Sequence, residues 1–251
     1  MKRSRPMAWV LGLCVVSTAA AQNAGAPSGD LTDPVEILKK ADAACKAAKF
    51  VQYTASFKGL NAEEARAPKV SGTVVLSGWA NGRPEKWRYD LKIERPGSSD
   101  VSEATAGSDG KTFFVIDPKT KKAYEDIDPA VLGSTGRAVR GVTMAEFVHN
   151  EPFSDEINGE KQELKGVTKV GDEDCYEVLV KYKAQAQEAT WFFSKKDFLP
   201  RRVDRVFTNQ AGEKGGSQLI VTKLTVGPKF DNDPFKLVVP EGFTKTDDFA
   251  P

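Results

Sequence analysis

The chain has 251 residues, 36 Lys and Arg against 35 Asp and Glu, one His, and a net charge of +1 at pH 7. A balance so close to neutral leaves no long-range field to draw it onto a phosphate backbone, so no nucleic-acid partner is expected. Cys45, Cys175 and the one histidine lie far apart and lack the local ligand pairs of a zinc site, so neither a metal nor a cofactor is expected.

Taken in chain order, Lys2, Arg3 and Arg5 precede an apolar run from Met7 to Val16, and Ala19, Ala20 and Ala21 supply small residues at a cleavage position. This is the layout of an export signal cut after Ala21, which places the mature chain in the periplasm. The run is too short for a membrane-spanning helix, which needs roughly 20 apolar residues. Leu13 stands before Cys14 where a lipid-attachment site resembles a small residue, so Cys14 is not read as a lipid anchor. Without Lys2, Arg3 and Arg5 the chain keeps 33 basic residues against 35 acidic ones, a net of −2. Short basic clusters such as Lys119, Lys121 and Lys122, or Lys195 and Lys196, then read as solvated turns and strand ends.

Residues 22–32, rich in Ala, Gly, Pro and Ser, form a lead-in, and 33–251 form one domain. Asp33 is placed as an N-cap with Pro34 at the first helical position, and Glu36 three residues on suggests a capping box. A helix is predicted from Pro34 to about Lys49, with Leu38, Ala41, Cys45 and Ala48 on one face. Strands follow at 50–57 and 70–79. Asn81-Gly82 is a type I′ hairpin signal, because both central residues need positive φ. In the next strand Trp87, Tyr89, Leu91 and Ile93 alternate with Arg88, Asp90, Lys92 and Glu94, which predicts one buried and one wet face.

Asp109-Gly110 joins a strand at 101–107 to one at 111–116, where Phe113, Phe114, Val115 and Ile116 are apolar on both faces. Such a strand is covered from two sides or lines a cavity. After a short strand at 122–125 the pattern breaks. A short helix is expected at Pro129 to Leu132, then a flexible stretch from Gly133 to Gly141. Thr143 to Glu146 reads as a capping box opening a second short helix with Met144, Phe147 and Val148 on its apolar side. Strands resume at 161–170, 175–183, 188–194, 201–207 and 218–226, and an extended apolar piece runs from Phe235 to Phe243. The predicted fold class is mainly β (α+β): one curved antiparallel sheet of about ten or eleven strands with an N-terminal helix and short helices over it.

Few groups suggest chemistry. Cys45 and Cys175 survive processing and are a candidate disulfide in an oxidising compartment, with two buried free thiols as the alternative. His149 sits near a helix end, where a surface role is ordinary. Asp172, Glu173 and Asp174 lie in a turn rather than across a cleft. No serine has a nucleophile-elbow setting, and Gly133 to Gly141 lacks the lysine and hydroxyl of a phosphate loop. No catalytic residue is assigned, and a binding protein is expected rather than an enzyme.

Four pieces occur in an order that resembles the LolA-like family of periplasmic lipoprotein carriers. Ser108 to Pro118 resembles its S-D-G-K-T hairpin, Arg83-Pro84 with Trp87 to Tyr89 its Arg-Pro entry to a strand, Leu199-Pro200-Arg201 its Leu-Pro turn, and Phe235 to Phe243 its closing piece. The resemblance implies an antiparallel half-barrel whose concave apolar face is covered by helices that open over acyl chains. Its expected partners are a lipid or acylated protein, with membrane-bound loading and acceptor proteins, and the chain is expected as a monomer. A groove of this kind would use Trp87, Tyr89, Leu91, Phe113, Val115, Trp191 and Phe193 from the sheet, with Met144 and Phe147 from the cover. Ordinary sheet core is the other use of those residues. The resemblance also gives Arg83 control of the lid, where simple exposure after a hairpin is the alternative. The cysteine pair is not part of the family pattern, and a non-catalytic sensor or scaffold of the same fold is the competing expectation.

Overall fold

The computed structural model describes residues 30–78, 84–183, 187–208 and 211–247. The export signal and its cleavage site, Trp79, the Asn81-Gly82 turn and Arg83 lie outside the described residues.

Helix α1 (Pro34–Ala47) starts where its cap places it: the Asp33 carboxylate accepts a hydrogen bond from the Val35 N–H at 2.9 Å, satisfying a donor that no helical carbonyl can reach. Ile37, Leu38, Ala41 and Cys45 are its buried face. Twelve strands follow: β1 (Phe50–Asn61), β2 (Lys69–Ser77), β3 (Lys86–Glu94), β4 (Val101–Ser108), β5 (Phe113–Asp117), β6 (Lys122–Asp126), β7 (Lys161–Val170), β8 (Glu173–Lys181), β9 (Gln187–Ser194), β10 (Pro200–Thr208), β11 (Lys214–Val226) and β12 (Thr244–Thr246). They form one open, curved sheet in the order β12-β6-β5-β4-β3-β2-β1-β11-β10-β9-β8-β7. Two antiparallel meanders thus meet where β1 pairs with β11, from Val51 opposite Val226 to Asn61 opposite Gly215.

Strand parity decides what each face holds, since side chains two residues apart share a side. Val51, Tyr53 and Ala55 of β1, Trp87, Tyr89, Leu91 and Ile93 of β3, and Ala189, Trp191 and Phe193 of β9 all join the main core with the buried face of α1. The apolar run Phe113 to Ile116 divides between two cores. Phe113 and Val115 belong to the main core, while Phe114 and Ile116 pack with Ala123 beneath Leu237, Val239 and Phe243 of the tail. The strand is therefore covered from two sides. The tail goes on to β12, which pairs parallel with β6 and carries Lys245 in an ion pair with Glu125. At the other border β7 carries Lys161, Lys165 and Lys169 and a register shift at Gly166.

The Asp109-Gly110 turn is built from side-chain to backbone hydrogen bonds. Asp109 Oδ1 accepts from the N–H groups of Lys111 and Thr112 at 2.8 and 2.9 Å. These two bonds hold the carboxyl below its ordinary range, and Gly110 takes a φ of +91°.

Two expectations are corrected between β6 and β7. The stretch read as flexible because of its glycines is α2 (Thr135–Val142). Its Ala138 and Val142 are buried, and tertiary packing outweighs the low helix propensity of glycine. A β-carbon on Gly141 would stand 3.1 Å from the Phe57 ring, so here glycine serves close approach to the sheet. Thr143 does not open a capping box. Its hydroxyl donates back to Val139 O at 2.7 Å, at the C-terminal end of α2, and only a 3₁₀ turn, Ala145–Phe147, follows. A further short helix, α3 (Ser154–Ile157), had no expectation attached to it.

The candidate disulfide is also corrected: both cysteines are free. Cys45 lies in the main core, whereas Cys175 packs with Val170 and Phe192 in a separate cluster. Tyr176, its neighbour along β8, belongs to the main core, so alternation turns Cys175 to the other side of the sheet from Cys45. Burial pushes both thiols up, Cys175 to about 11, which keeps them protonated and unreactive near neutrality.

Candidate functional site

The segment from the 3₁₀ turn Pro129–Leu132 through α2 and the turn Ala145–Phe147 to α3 forms a roof over the main core. Val131, Ala138, Val142, Met144, Phe147, Val148 and Phe153 are its residues in the main core. Two tyrosines from the sheet floor fasten it. The Tyr53 hydroxyl donates to Val142 O at 3.2 Å and accepts from the Met144 N–H at 3.0 Å. The Tyr89 hydroxyl meets Thr143 Oγ1 at 2.8 Å. Because that Thr143 oxygen already donates to Val139 O, Tyr89 is the donor between them. Burial raises both phenols, with the Met144 hydrogen bond working against it at Tyr53 and the Thr143 bond at Tyr89. Both therefore stay protonated and keep the roof hydrogen-bonded.

The residues expected to line a groove fall into three groups. Trp87 touches Tyr89 and Phe113, with ring centroids 5.3 and 6.1 Å apart. Met144 and Phe147 lie in the roof, and Phe147 packs on Tyr53 at 5.7 Å. Trp191 and Phe193 stack at 5.9 Å, and Phe153 from the roof meets both edge-on at 5.0 and 5.2 Å. All of them, with Leu91, belong to or pack against the one main core cluster.

Open volume lies at one end of the roof instead. A cleft of about 760 Å³ runs between β3 to β6 and the start of the roof. Ile93, Ala104, Val115, Tyr124 and Leu132 give it an apolar floor and wall, while Arg95, Ser102, Asp117 and Ser134 stand among its polar residues. Val115 is the groove candidate that the cleft uses. Ile93, Tyr124 and Leu132 had not been marked out. Ile93 ends the alternating series of β3 and could have been found from that periodicity, whereas Leu132 needs the roof's path to be known. Gly133, with φ at +45°, sits between the 3₁₀ turn and α2 and gives the chain its change of direction there.

Beneath the far end of the roof lies a polar cluster. Glu146, a buried residue, accepts from Arg205 at 3.0 Å through Oε1, while its Oε2 has no hydrogen-bond partner among the described residues. Arg205 also lies 5.1 Å over the Trp191 ring. Glu156 on α3 accepts from the Tyr182 hydroxyl at 2.7 Å. Burial raises both carboxyls, against the lowering effect of Arg205 on Glu146 and of the Tyr182 bond on Glu156. A raised carboxyl pKa means that the native state holds protons which the unfolded chain has released. Stability therefore falls as pH rises from the ordinary carboxylate value through the raised one, by at most about 1.4 kcal/mol per pH unit for each group. Thermal unfolding followed as pH falls from neutrality toward the ordinary carboxylate value is expected to show a rising midpoint from these groups, and Glu146→Gln is expected to flatten that rise. An unchanged slope in the variant would assign the effect elsewhere. His149 is exposed and its Nδ1 accepts from the Glu151 N–H at 3.2 Å.

No protein-family model and no curated protein matches the chain. Solved structures do. LprF from Mycobacterium bovis is 10% identical with a TM-score of 0.52, over 82% of this chain and 100% of LprF. The Pseudomonas aeruginosa MucA/MucB complex contains a chain 14% identical at 0.45, over 82% of this chain and 61% of that one. A LolA superfamily protein from Nitrosomonas europaea is 14% identical at 0.32, over 80% and 96%. The chain shares its fold with LprF, and at 10% identity the likeness is one of fold alone.

Proposed function

We propose that the chain is an exported, periplasmic, non-catalytic binder of an acyl chain or lipid, which it holds between the sheet and the roof. The observation that carries this reading is the cleft of about 760 Å³ with Ile93, Val115, Tyr124 and Leu132 on its apolar side, set against a roof that hydroxyl hydrogen bonds fasten to the floor. Its volume lies in the range of about 300–1,000 Å³ common to small-molecule sites. Each methylene moved there from water is worth about 0.8 kcal/mol, so a chain needs no specific chemistry to be retained. Longer ligands are taken up by lifting the roof, which opens the cleft toward Trp87, Tyr89 and Phe113 and then toward Met144, Phe147, Trp191 and Phe193. In this reading a lipid or acylated protein is the cargo, loading and acceptor proteins at the membranes are its partners, and Arg83 tunes the lid.

The test is uptake of a neutral twelve-carbon amphiphile, dodecyl maltoside, by the purified full chain below the detergent's micelle concentration. Native mass spectrometry of protein taken directly from the periplasm serves as the second readout. Bound lipid and saturable uptake are expected. Leu132 is only partly buried, so Leu132→Glu leaves the fold intact and is expected to weaken uptake by about tenfold, the loss of one apolar wall and the arrival of a charge. Lipid-free protein that takes up no amphiphile would leave the scaffold reading in its place.

A further inference from the structure

A second cleft, of about 510 Å³, adjoins the first and shares Ile93, Arg95 and Ser134 with it. Four arginines line it, Arg66, Arg95, Arg137 and Arg140, and no carboxylate does. They come from three separate places: the turn after β1, the end of β3, and α2, where a spacing of three puts Arg137 and Arg140 on one side of the helix. Arg66 reaches Glu63 at 3.6 Å and Arg95 donates to Ser102 Oγ at 2.7 Å. Arg137 and Arg140 are exposed and have no ion-pair partner among the described residues. In a chain of net charge +1, four like charges gathered at one opening repel one another, and an anion between them would remove that repulsion. Guanidinium groups suit phosphate and carboxylate oxygens because their N–H donors are held in a planar fork.

We infer that this cleft receives the anionic headgroup of the amphiphile, a phosphate-type group, whose apolar chain continues past Ile93 into the neighbouring cleft. The assignment rests on the acyl-binding reading above and names its ligand class more closely. The two clefts form one amphipathic site, basic at the Arg95 and Arg137 side, with an apolar strip of Ile93, Val115 and Leu132 at the other, where Asp100, Glu103 and Asp117 also stand.

Three probes of the full chain test it: dodecyl phosphate, dodecyl maltoside with the same chain and a neutral head, and inorganic phosphate. Dodecyl phosphate is expected to bind about tenfold tighter than the maltoside, the combined worth of solvent-exposed charge pairs, with the difference shrinking in high salt. The double variant Arg137→Gln, Arg140→Gln is expected to erase that preference and leave maltoside binding unchanged. Equal affinity for the two amphiphiles in the unaltered protein overturns the headgroup site and leaves the acyl reading standing. Failure of both amphiphiles to bind overturns the acyl reading. Inorganic phosphate binding as tightly as dodecyl phosphate, and lost in the double variant, overturns the amphiphile as ligand and makes the arginines a site for the free anion.

Discussion

Replacing Trp191 by alanine is expected to lower the unfolding free energy by about 3–5 kcal/mol, the upper range for a large side chain removed from a filled core. Trp191 is fully buried and stands where the sheet, the roof and a charged side chain meet. Phe193 stacks on it, Phe153 meets it edge-on, and the Arg205 guanidinium covers it at 5.1 Å. Deleting the indole removes these partners together, and the hole borders a roof segment made of a 3₁₀ turn and a four-residue helix, which has little regular hydrogen bonding of its own. Urea unfolding of Trp191→Ala and Trp191→Phe should rank them in that order below the unaltered chain. A loss under about 1 kcal/mol for alanine, the ordinary size for a point change, would show that the roof does not depend on this residue.

Arg201→Met is expected to cost about 2–3 kcal/mol, less than the full value for breaking a buried ion pair because both acidic partners are partly exposed. Arg201 is itself 4% exposed. Its Nε donates to Glu173 Oε1 at 3.1 Å, its Nη1 to Leu199 O at 3.2 Å and its Nη2 to Asp197 Oδ2 at 2.7 Å. Three directions from one planar group explain why Arg201→Lys should recover only part of the loss. The bonds fix the Leu199-Pro200 turn, in which Phe198 holds the left-handed conformation at a φ of +59°, and tie the start of β10 to β8. Burial pushes the Glu173 carboxyl up, but the hydrogen bonds from Arg201 and Ser194 outweigh it and hold the group low. A lowered carboxylate contributes stability above the ordinary carboxylate range and loses it as pH falls through the lowered value. Acid unfolding of Arg201→Met should therefore show a weaker dependence in that range, and equal curves would remove the pairing as its cause.

Local pattern carried much of the fold. Alternation from Trp87 to Glu94 could be read because one face of β3 is wet, and the Asp33 cap and the Asp109-Gly110 turn could be read because their hydrogen bonds span two or three residues. Phe113 to Ile116 left two outcomes open, and both hold in part: the tail returns over Phe114 and Ile116, while Val115 on the other face lines the cleft. The glycines of α2 misled because permissive backbone and close approach look alike in a string of letters, and the partner that distinguishes them, Phe57, lies far upstream. Cys45 and Cys175 are both buried, yet which face of the sheet α1 covers, and so whether Cys45 meets the side to which β8 turns Cys175, depends on the packed fold. The four arginines were the least legible of all, since Arg66, Arg95 and Arg137 become neighbours only once β1, β3 and α2 are packed.

The two borders of the sheet behave differently as templates for self-association. Parallel pairing of β12 with Lys122 to Tyr124 leaves a strand of only three residues at that border, which disfavours polymerisation by strand addition there. Along β7 the lysines at 161, 165 and 169 and the kink at Gly166 make recruitment of a flat, uncharged segment unfavourable. A molecule cut short before Leu237 would thus lose a safeguard against fibre growth on one side only, and the greasy patch around Phe114 would be uncovered at that same edge.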